Sequence, residues 1–291
     1  MTLREAWFLN GTLYNSEVWG AFKDSDLEVL EVLDRKILRK IIGAHSKVPS
    51  EMLYLETGAL PISSVISVRR LLYLHTILNR HENEIIKKVY TAQKNDPTKG
   101  DWVNIVEADK KNFNIDIDDE TVVNMTKEAF KKLIKEKVRI KVFLDLSKSQ
   151  QGHSKVKNIP FQNNNKAQEY LTSPDFTNKL RALLFNLRCQ TTVGLKDNFH
   201  NFYKNNLMCS MKCNTSIDSQ SHILNCPKLL LHLNEKQKED VRNVRYEYLF
   251  GNITEQLNIT KVFKMLLHIR QRLLEEHQEP AYLGNNSGPN V

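Results

Sequence analysis

Glycine and proline are scarce, with 10 and 8 in 291 residues. A sandwich or barrel of short strands needs many tight turns, so this shortage argues for helices. No run of 18 apolar residues occurs, and no membrane-spanning helix or membrane partner is expected. The opening Met1-Thr2-Leu3-Arg4-Glu5-Ala6 has no basic segment followed by an apolar run. No secretory signal is expected, and the nucleus or cytoplasm is the expected compartment. Glycine-rich phosphate loops, Gly-x-Ser-x-Gly and His-Glu-x-x-His are all missing. The Asp118-Asp119-Glu120 cluster is read more cheaply as a helix N-terminal cap than as a cation site. With no nucleophile, base or open metal position in view, the chain is not expected to be an enzyme on its own.

What is present is enough to fold. Apolar residues make up 41% and charged residues 26%, which supports a real core and excludes a wholly disordered chain. The formal charge is +8, a mild pointer to a polyanionic partner. Apolar spacing predicts helices over residues 2–22, Ser25–Ile42, Ser50–Gly58, Ile62–Arg80, Asn83–Gln93, Thr126–Ser149, Thr177–Arg188, Val241–Phe250 and Thr260–Glu276. In the second of these, Leu27, Leu30, Leu33, Ile37, Leu38 and Ile41 are expected to face inward. The fold class is therefore all-α: an irregular multi-helix domain, a small metal-binding module and closing helices. The expected segments are 1–95, 96–204 (basic), 205–230 (the module), 231–277 and a disordered tail, 278–291. Residues 162–165 read as a polar linker.

The strongest local pattern is Cys209-Ser-Met-Lys-Cys213, followed by His222 and Cys226. Zinc takes four soft or borderline ligands in a tetrahedron, and two cysteines a few residues apart can grip one edge from a tight turn. His222 and Cys226 are four residues apart, so one helical turn can present both. Asp218 is placed to cap that turn. Four protein ligands close the site, so Zn2+ is expected to be structural. The fourth cysteine, Cys189, reads as a small buried hydrophobe.

The second pattern is charge. Residues 127–157 hold ten Lys or Arg against three acids, +7 of the chain's +8. Lys127, Lys131, Lys132, Lys135, Lys137, Arg139 and Lys141, extended by Lys155 and Lys157, are candidate contacts to nucleic-acid phosphates. A merely solvated helix face fits the same residues. Arg69-Arg70, with His75 and Arg80, form a third basic patch and a weaker candidate. Phe199, Phe202 and Tyr203 could stack on unpaired bases.

Longer strings carry a family resemblance. Gly11-Thr-Leu-Tyr-Asn-Ser-Glu-Val-Trp-Gly20, then Leu33-Asp34, Leu38-Arg39, Ile42-Gly43-Ala44, Pro49-Ser-Glu-Met-Leu-Tyr-Leu-Glu-Thr-Gly58, Leu60-Pro61-Ile62 and Arg69-Arg70-Leu71 resemble the thumb and post-thumb region of non-LTR (LINE-type) retrotransposon reverse transcriptases. The cysteine module, with Asp218 ahead of His222-Ile223-Leu224 and Cys226, is similar to their C-terminal zinc knuckle. The resemblance runs over about residues 2–275. It implies a thumb-like region over 1–95, a connector over 96–204 and a knuckle over 205–230. It further implies RNA or DNA as partner (template–primer or element RNA). The Tyr/Phe-x-Asp-Asp turn of such polymerases is not in this sequence. The resemblance then implies a nucleic-acid-binding C-terminal piece, with a palm-bearing part as a further partner. An apolar face left by that palm would include Leu3, Trp7, Leu13 and Trp19. Two other readings fit the same residues: a helical protein-interaction scaffold with a structural zinc, or a decayed fragment without function.

Overall fold

The computed structural model describes residues 4–20, 24–98, 100–157, 159–160, 166–199, 207–213 and 216–276. Among these it contains helices and no strand or sheet, as the sequence predicts. The chain divides into two compact units, Met1–Leu171 and Thr172–Val291. The expected linker at 162–165 and the tail at 278–291 lie outside the described residues.

In the first unit, helix α1 spans Asp24–Ile42, α2 Ser50–Thr57, α3 Ile62–Leu78, α4 Ile85–Asn95, α5 Trp102–Asn112, α6 Asp119–Asn124 and α7 Lys127–Gln151. The main core joins Leu71, Leu74 and Ile77 of α3 to Val106 of α5, Val122 of α6 and Phe130, Ile134 and Val138 of α7. This core runs across position 95/96, so the segments expected to part there are built around one interior. Thr126 starts α7 by accepting a hydrogen bond from the Ala129 amide at 3.2 Å. Its inward stripe, Phe130, Ile134, Val138 and Val142, recurs every four residues.

Helix α1 follows its expected orientation in part: Leu38 is buried and Leu27, Leu30 and Ile37 pack on the neighbouring core, but Leu33 and Ile41 do not. Its deepest side chains are Glu31, Asp34, Leu38 and Ile42, whereas Leu33 and Ile41 are 44% and 45% exposed. Polar pairing decides which face turns inward. Arg4 donates to both Asp34 oxygens at 2.5 and 2.7 Å and to the Leu60 carbonyl at 2.8 Å. Glu31 accepts from the Tyr54 hydroxyl at 3.0 Å and the Ser63 amide at 2.9 Å. Burial pushes the Tyr54 hydroxyl well above its ordinary pKa, and the neighbouring Glu31 and Asp34 charges push it further, so it stays a donor. Buried carboxylates are tolerated only when paired in this way.

The segment expected as one helix over 2–22 is instead a wide helical turn at Arg4–Leu9, a turn at Asn10–Thr12 and a tight turn at Ser16–Val18. Asn15 takes a left-handed conformation, φ 55°, which ends any continuous helix. Leu13 is fully buried, and Trp19 packs on the cluster of Phe8, Leu9, Leu13, Ile62 and Ile66. Leu13 therefore belongs to the core and to no open apolar face. Leu3 and the Trp7 side chain lie outside the described residues.

Gly58 ends α2 in the left-handed region, φ 63°, with its amide on the Tyr54 carbonyl at 2.8 Å. The backbone of Lys166 and Ala167 crosses directly over it. Just beyond, the Gln168 amide donates to the Glu56 carbonyl at 2.8 Å, and the Tyr170 hydroxyl donates to buried Glu56 at 2.8 Å.

In the second unit, α8 spans Asn178–Arg188, α9 Gln220–Asn225, α10 Glu235–Arg242 and α11 Ile253–Glu276, with tight turns at Pro227–Leu230 and Tyr246–Phe250. The helix expected over Val241–Phe250 is thus displaced toward the N-terminus. Asn234 and Gln237 form a reciprocal capping box that fixes its start. Helix α11 begins at Ile253 and not at Thr260 because Asn252 and Glu255 exchange hydrogen bonds at 2.9 and 3.0 Å. The Arg188 guanidinium is buried, donates to the Leu249 carbonyl at 2.7 Å and lies 4.8 Å from the Phe250 ring centre.

Candidate metal centre

The second unit assembles Cys209, Cys213, His222 and Cys226, and one ligand atom from each lies within 4.8 Å of all the others. The cluster could hold a metal ion. Three local features bring it together. Lys212 takes a left-handed φ of 53°, and its amide closes a turn on the Cys209 carbonyl at 2.9 Å. That turn brings Cys213 back beside Cys209. The Cys209 amide donates to the Ser216 carbonyl at 3.1 Å, next to an isolated bridge between Met208 and Ile217. Helix α9 then carries His222 and places Cys226 just past its last turn.

Two of the ligand–ligand distances are close to those round a tetrahedral ion. The Cys209 and Cys226 sulfurs are 3.7 Å apart, and Cys213 Sγ is 3.3 Å from His222 Nε2. Metal–sulfur bonds of about 2.3 Å and a metal–nitrogen bond of about 2.0 Å give tetrahedron edges of about 3.8 and 3.5 Å. Cys209 and Cys226 are buried and Cys213 is half-exposed. The Cys209 thiol is pushed up to about 12, chiefly by burial and also by the nearby Cys213 and Cys226 sulfurs, against a lowering hydrogen bond from the Met211 amide. Such crowding of sulfurs favours neutral thiols until a cation compensates them.

Asp218 does not cap α9; Ser219 does, accepting from the His222 amide at 3.2 Å. Asp218 turns away from the helix end. It accepts from Arg270 of α11 at 2.6 Å and from the Ser210 hydroxyl at 2.6 Å, with both charged groups buried. Its amide donates to the Leu207 carbonyl at 2.8 Å. One carboxylate therefore ties the cysteine turn, the approach to α9 and the last helix together. Nearby Gln220 is also buried, donating to Thr192 at 3.2 Å and accepting from Tyr246 at 3.0 Å. No spacing rule exposes these partners, because Arg270 lies 52 residues from Asp218.

The cationic candidates separate into two groups. On α7, Lys127, Lys131, Lys135 and Arg139 are exposed and stand four residues apart, beside the buried stripe. Lys132 and Lys137 are exposed on the remaining surface of the same helix. Lys141 is held by Asp145 at 2.8 Å, Lys155 is half-buried and Lys157 is exposed. Arg69 and Arg70 do not join them. Arg69 is half-buried and donates to the Leu9 carbonyl at 3.2 Å and to the Leu13 carbonyl. Arg70 is buried and pairs with Asp109 at 2.6 Å. Both guanidiniums serve the interior because α3, which carries them, is the central helix. His75 is buried too, with Nε2 3.0 Å from the Met125 carbonyl and its ring stacked on Phe130.

Asp118 caps α6 as its position suggests, accepting from the Thr121 amide at 2.8 Å. Phe202, Tyr203 and the Phe199 side chain lie outside the described residues. Compared with protein-family models, curated proteins and solved structures, the chain matches none.

Proposed function

We propose that this protein binds nucleic acid through the phosphate backbone, with Zn2+ as the structural staple of its second unit. The observation that carries the reading is the row Lys127, Lys131, Lys135 and Arg139. All four are exposed, and no acid partners them among the described residues. Like charges four residues apart each cost a helix about 0.2–0.5 kcal/mol. A helix that only needed solubility would interleave acids, as it does where Asp145 meets Lys141. Four residues of helix advance about 6 Å and turn about 40° past a full circle, so the row is a track of cations about 18 Å long that winds about a third of the way round the helix. Such a track suits successive phosphates and is indifferent to sequence.

The proposal accords with the resemblance to the C-terminal region of non-LTR reverse transcriptases. On that reading the chain grips RNA or DNA, as template–primer or element RNA, and polymerisation belongs to a separate palm. Cys209, Cys213, His222 and Cys226 would hold the zinc ion. Bound there, it would supply cross-linking and no open coordination position.

Titration with a primer–template duplex and with single-stranded RNA at two salt concentrations tests the reading. Four phosphate contacts give a log–log salt slope of about −3.6 on duplex DNA, or about a 150-fold loss of affinity between about 50 and 200 mM salt. Reversing Lys131, Lys135 and Arg139 to Glu removes most binding while the helical signal persists. Salt-insensitive binding, or full binding by the reversed protein, refutes the proposal.

A further inference from the structure

The outward face of α1 has a pattern that the metal centre and the cationic row leave unused. Val29 is 68% exposed, Val32 36% and Leu33 44%, so three large aliphatic side chains stand together on two turns of the exposed face, flanked there by charged residues. The inward face of α1 carries Glu31 and Asp34, which answer Arg4, Tyr54 and Ser63, beside Leu27, Leu30, Ile37 and Leu38. Continuing the same face gives Asp26 toward the N-terminus and Lys36 and Lys40 toward the C-terminus, all exposed. The positions 29, 32/33, 36 and 40 alternate three- and four-residue steps, the spacing of a helix that packs along another helix.

The charges choose the occupant. Glu28 is already answered within the helix by Arg35 at 2.5 Å. Asp26 receives only the weak 3.4 Å contact from Ser25, and Lys36 and Lys40 have no partner among the described residues. The face is thus acidic at one end, apolar in the middle and basic at the other end. That pattern is complementary to itself when reversed. With Leu33 at a two-fold axis, Asp26 of one copy faces Lys40 of the other, Val32 and Leu33 of both copies meet at the axis, and Val29 of each lies against the Lys36 turn of the other. The Lys36 stem can lie along the apolar strip with its ammonium in water. A parallel pair would set Lys36 on Lys36 and Lys40 on Lys40, which like-charge repulsion disfavours.

We propose that α1 is a self-association surface, on which two copies of this chain pair antiparallel about a two-fold axis near Leu33. The three aliphatic side chains bury far less than the roughly 1,000 Å² of a permanent interface, so the pairing is weak and set by protein concentration. An isologous contact of this kind closes on itself and stops at the dimer.

Sedimentation of the full chain from about 5 to about 200 µM tests it. The expected result is a rise from monomer toward dimer across that range and no larger species. Leu33→Glu, which places two acids together at the axis, should leave monomer at every concentration. Asp26→Lys and Lys40→Asp should each weaken the dimer about tenfold or more. Combining them re-forms both ion pairs with the signs exchanged and should restore it. These last two positions are exposed, so the charge exchange decides the matter even if Leu33→Glu disturbs folding. A wild-type protein that stays monomeric overturns the proposal. So does a dimer indifferent to the single charge changes, or a double variant no better than either single one.

Discussion

Arg270→Met tests how the metal centre is built into its unit. The Arg270 guanidinium and the Asp218 carboxylate meet at 2.6 Å with side chains 6% and 2% exposed. Methionine has similar length and no charge, so the substitution removes the cation and leaves the carboxylate buried with the Ser210 hydroxyl as its one remaining side-chain donor among the described residues. Breaking one partner of a buried pair costs about 3–5 kcal/mol. With a urea slope of about 2 kcal/mol/M, the midpoint of the second unit should fall by about 1.5–2.5 M. Asp218 also ties the Ser210 turn to Leu207, so zinc affinity measured against a competing chelator should fall about tenfold. The assay has an internal control. Trp7, Trp19 and Trp102 all lie in the first unit, so tryptophan fluorescence follows that unit while far-UV circular dichroism follows both. The circular-dichroism transition should move and the tryptophan transition should not. Adding Asp218→Asn removes the stranded charge and should recover most of the loss. A cost of about 1 kcal/mol or less for Arg270→Met would refute the argument, because surface pairs cost that little.

Three further outcomes follow from the same physics. Gly58→Ala should destabilise the first unit by about 2–5 kcal/mol, since left-handed backbone costs about 1–2 and a clash with immovable backbone adds about 1–3. Its added Cβ would lie 2.6 Å from the Lys166 carbonyl carbon, whereas Gly11→Ala meets nothing and serves as the control in the same melting experiment. Cys209→Ser and Cys226→Ser should each abolish stoichiometric zinc, read by metal analysis after chelator-free purification; retained metal in both would remove the assignment. The Asp119 carboxyl is pushed up by burial, but hydrogen bonds from the Lys94 ammonium and Tyr90 hydroxyl outweigh this and hold it below its ordinary value. Its ionised form therefore supports the fold at neutral pH, and that support is lost as pH falls through the carboxylate range and below. Asp119→Asn should flatten the acid limb of a stability–pH curve, and an unchanged limb would show that other groups govern it.

The sequence was legible where one interaction dominated. Apolar spacing places α7 at Thr126–Ser149, and it is observed at Lys127–Gln151 with Thr126 as its cap. The four candidate ligands and their assembly into one cluster were legible because ligand type and spacing are local constraints on one turn and one helix. On α1 apolar periodicity identifies Leu27, Leu30, Ile37 and Leu38 but not the exposure of Leu33 and Ile41, because it cannot see that Glu31 and Asp34 are needed inside. Arg69 and Arg70 looked like surface charge for the same reason: their partners, at Leu9, Leu13 and Asp109, come from distant segments. The capping boxes at Asn234 and Asn252 were visible in principle, as Asn followed three residues later by Gln or Glu. The Asp218–Arg270 pair had no sequence signal at all.

The opening residues of the described chain also bear on where this protein can be trimmed. Arg4 reaches into Asp34, the Leu9 and Leu13 carbonyls receive Arg69, and the Glu17 carbonyl receives the Trp102 indole at 2.7 Å. Three helices thus hold residues 4–17 by polar hooks that water cannot easily replace. Deleting this stretch would strand a carboxylate, a guanidinium and an indole in the interior at once. A version that starts at α1 would be a damaged first unit and no minimal one, and its loss of activity would say nothing about where the activity resides.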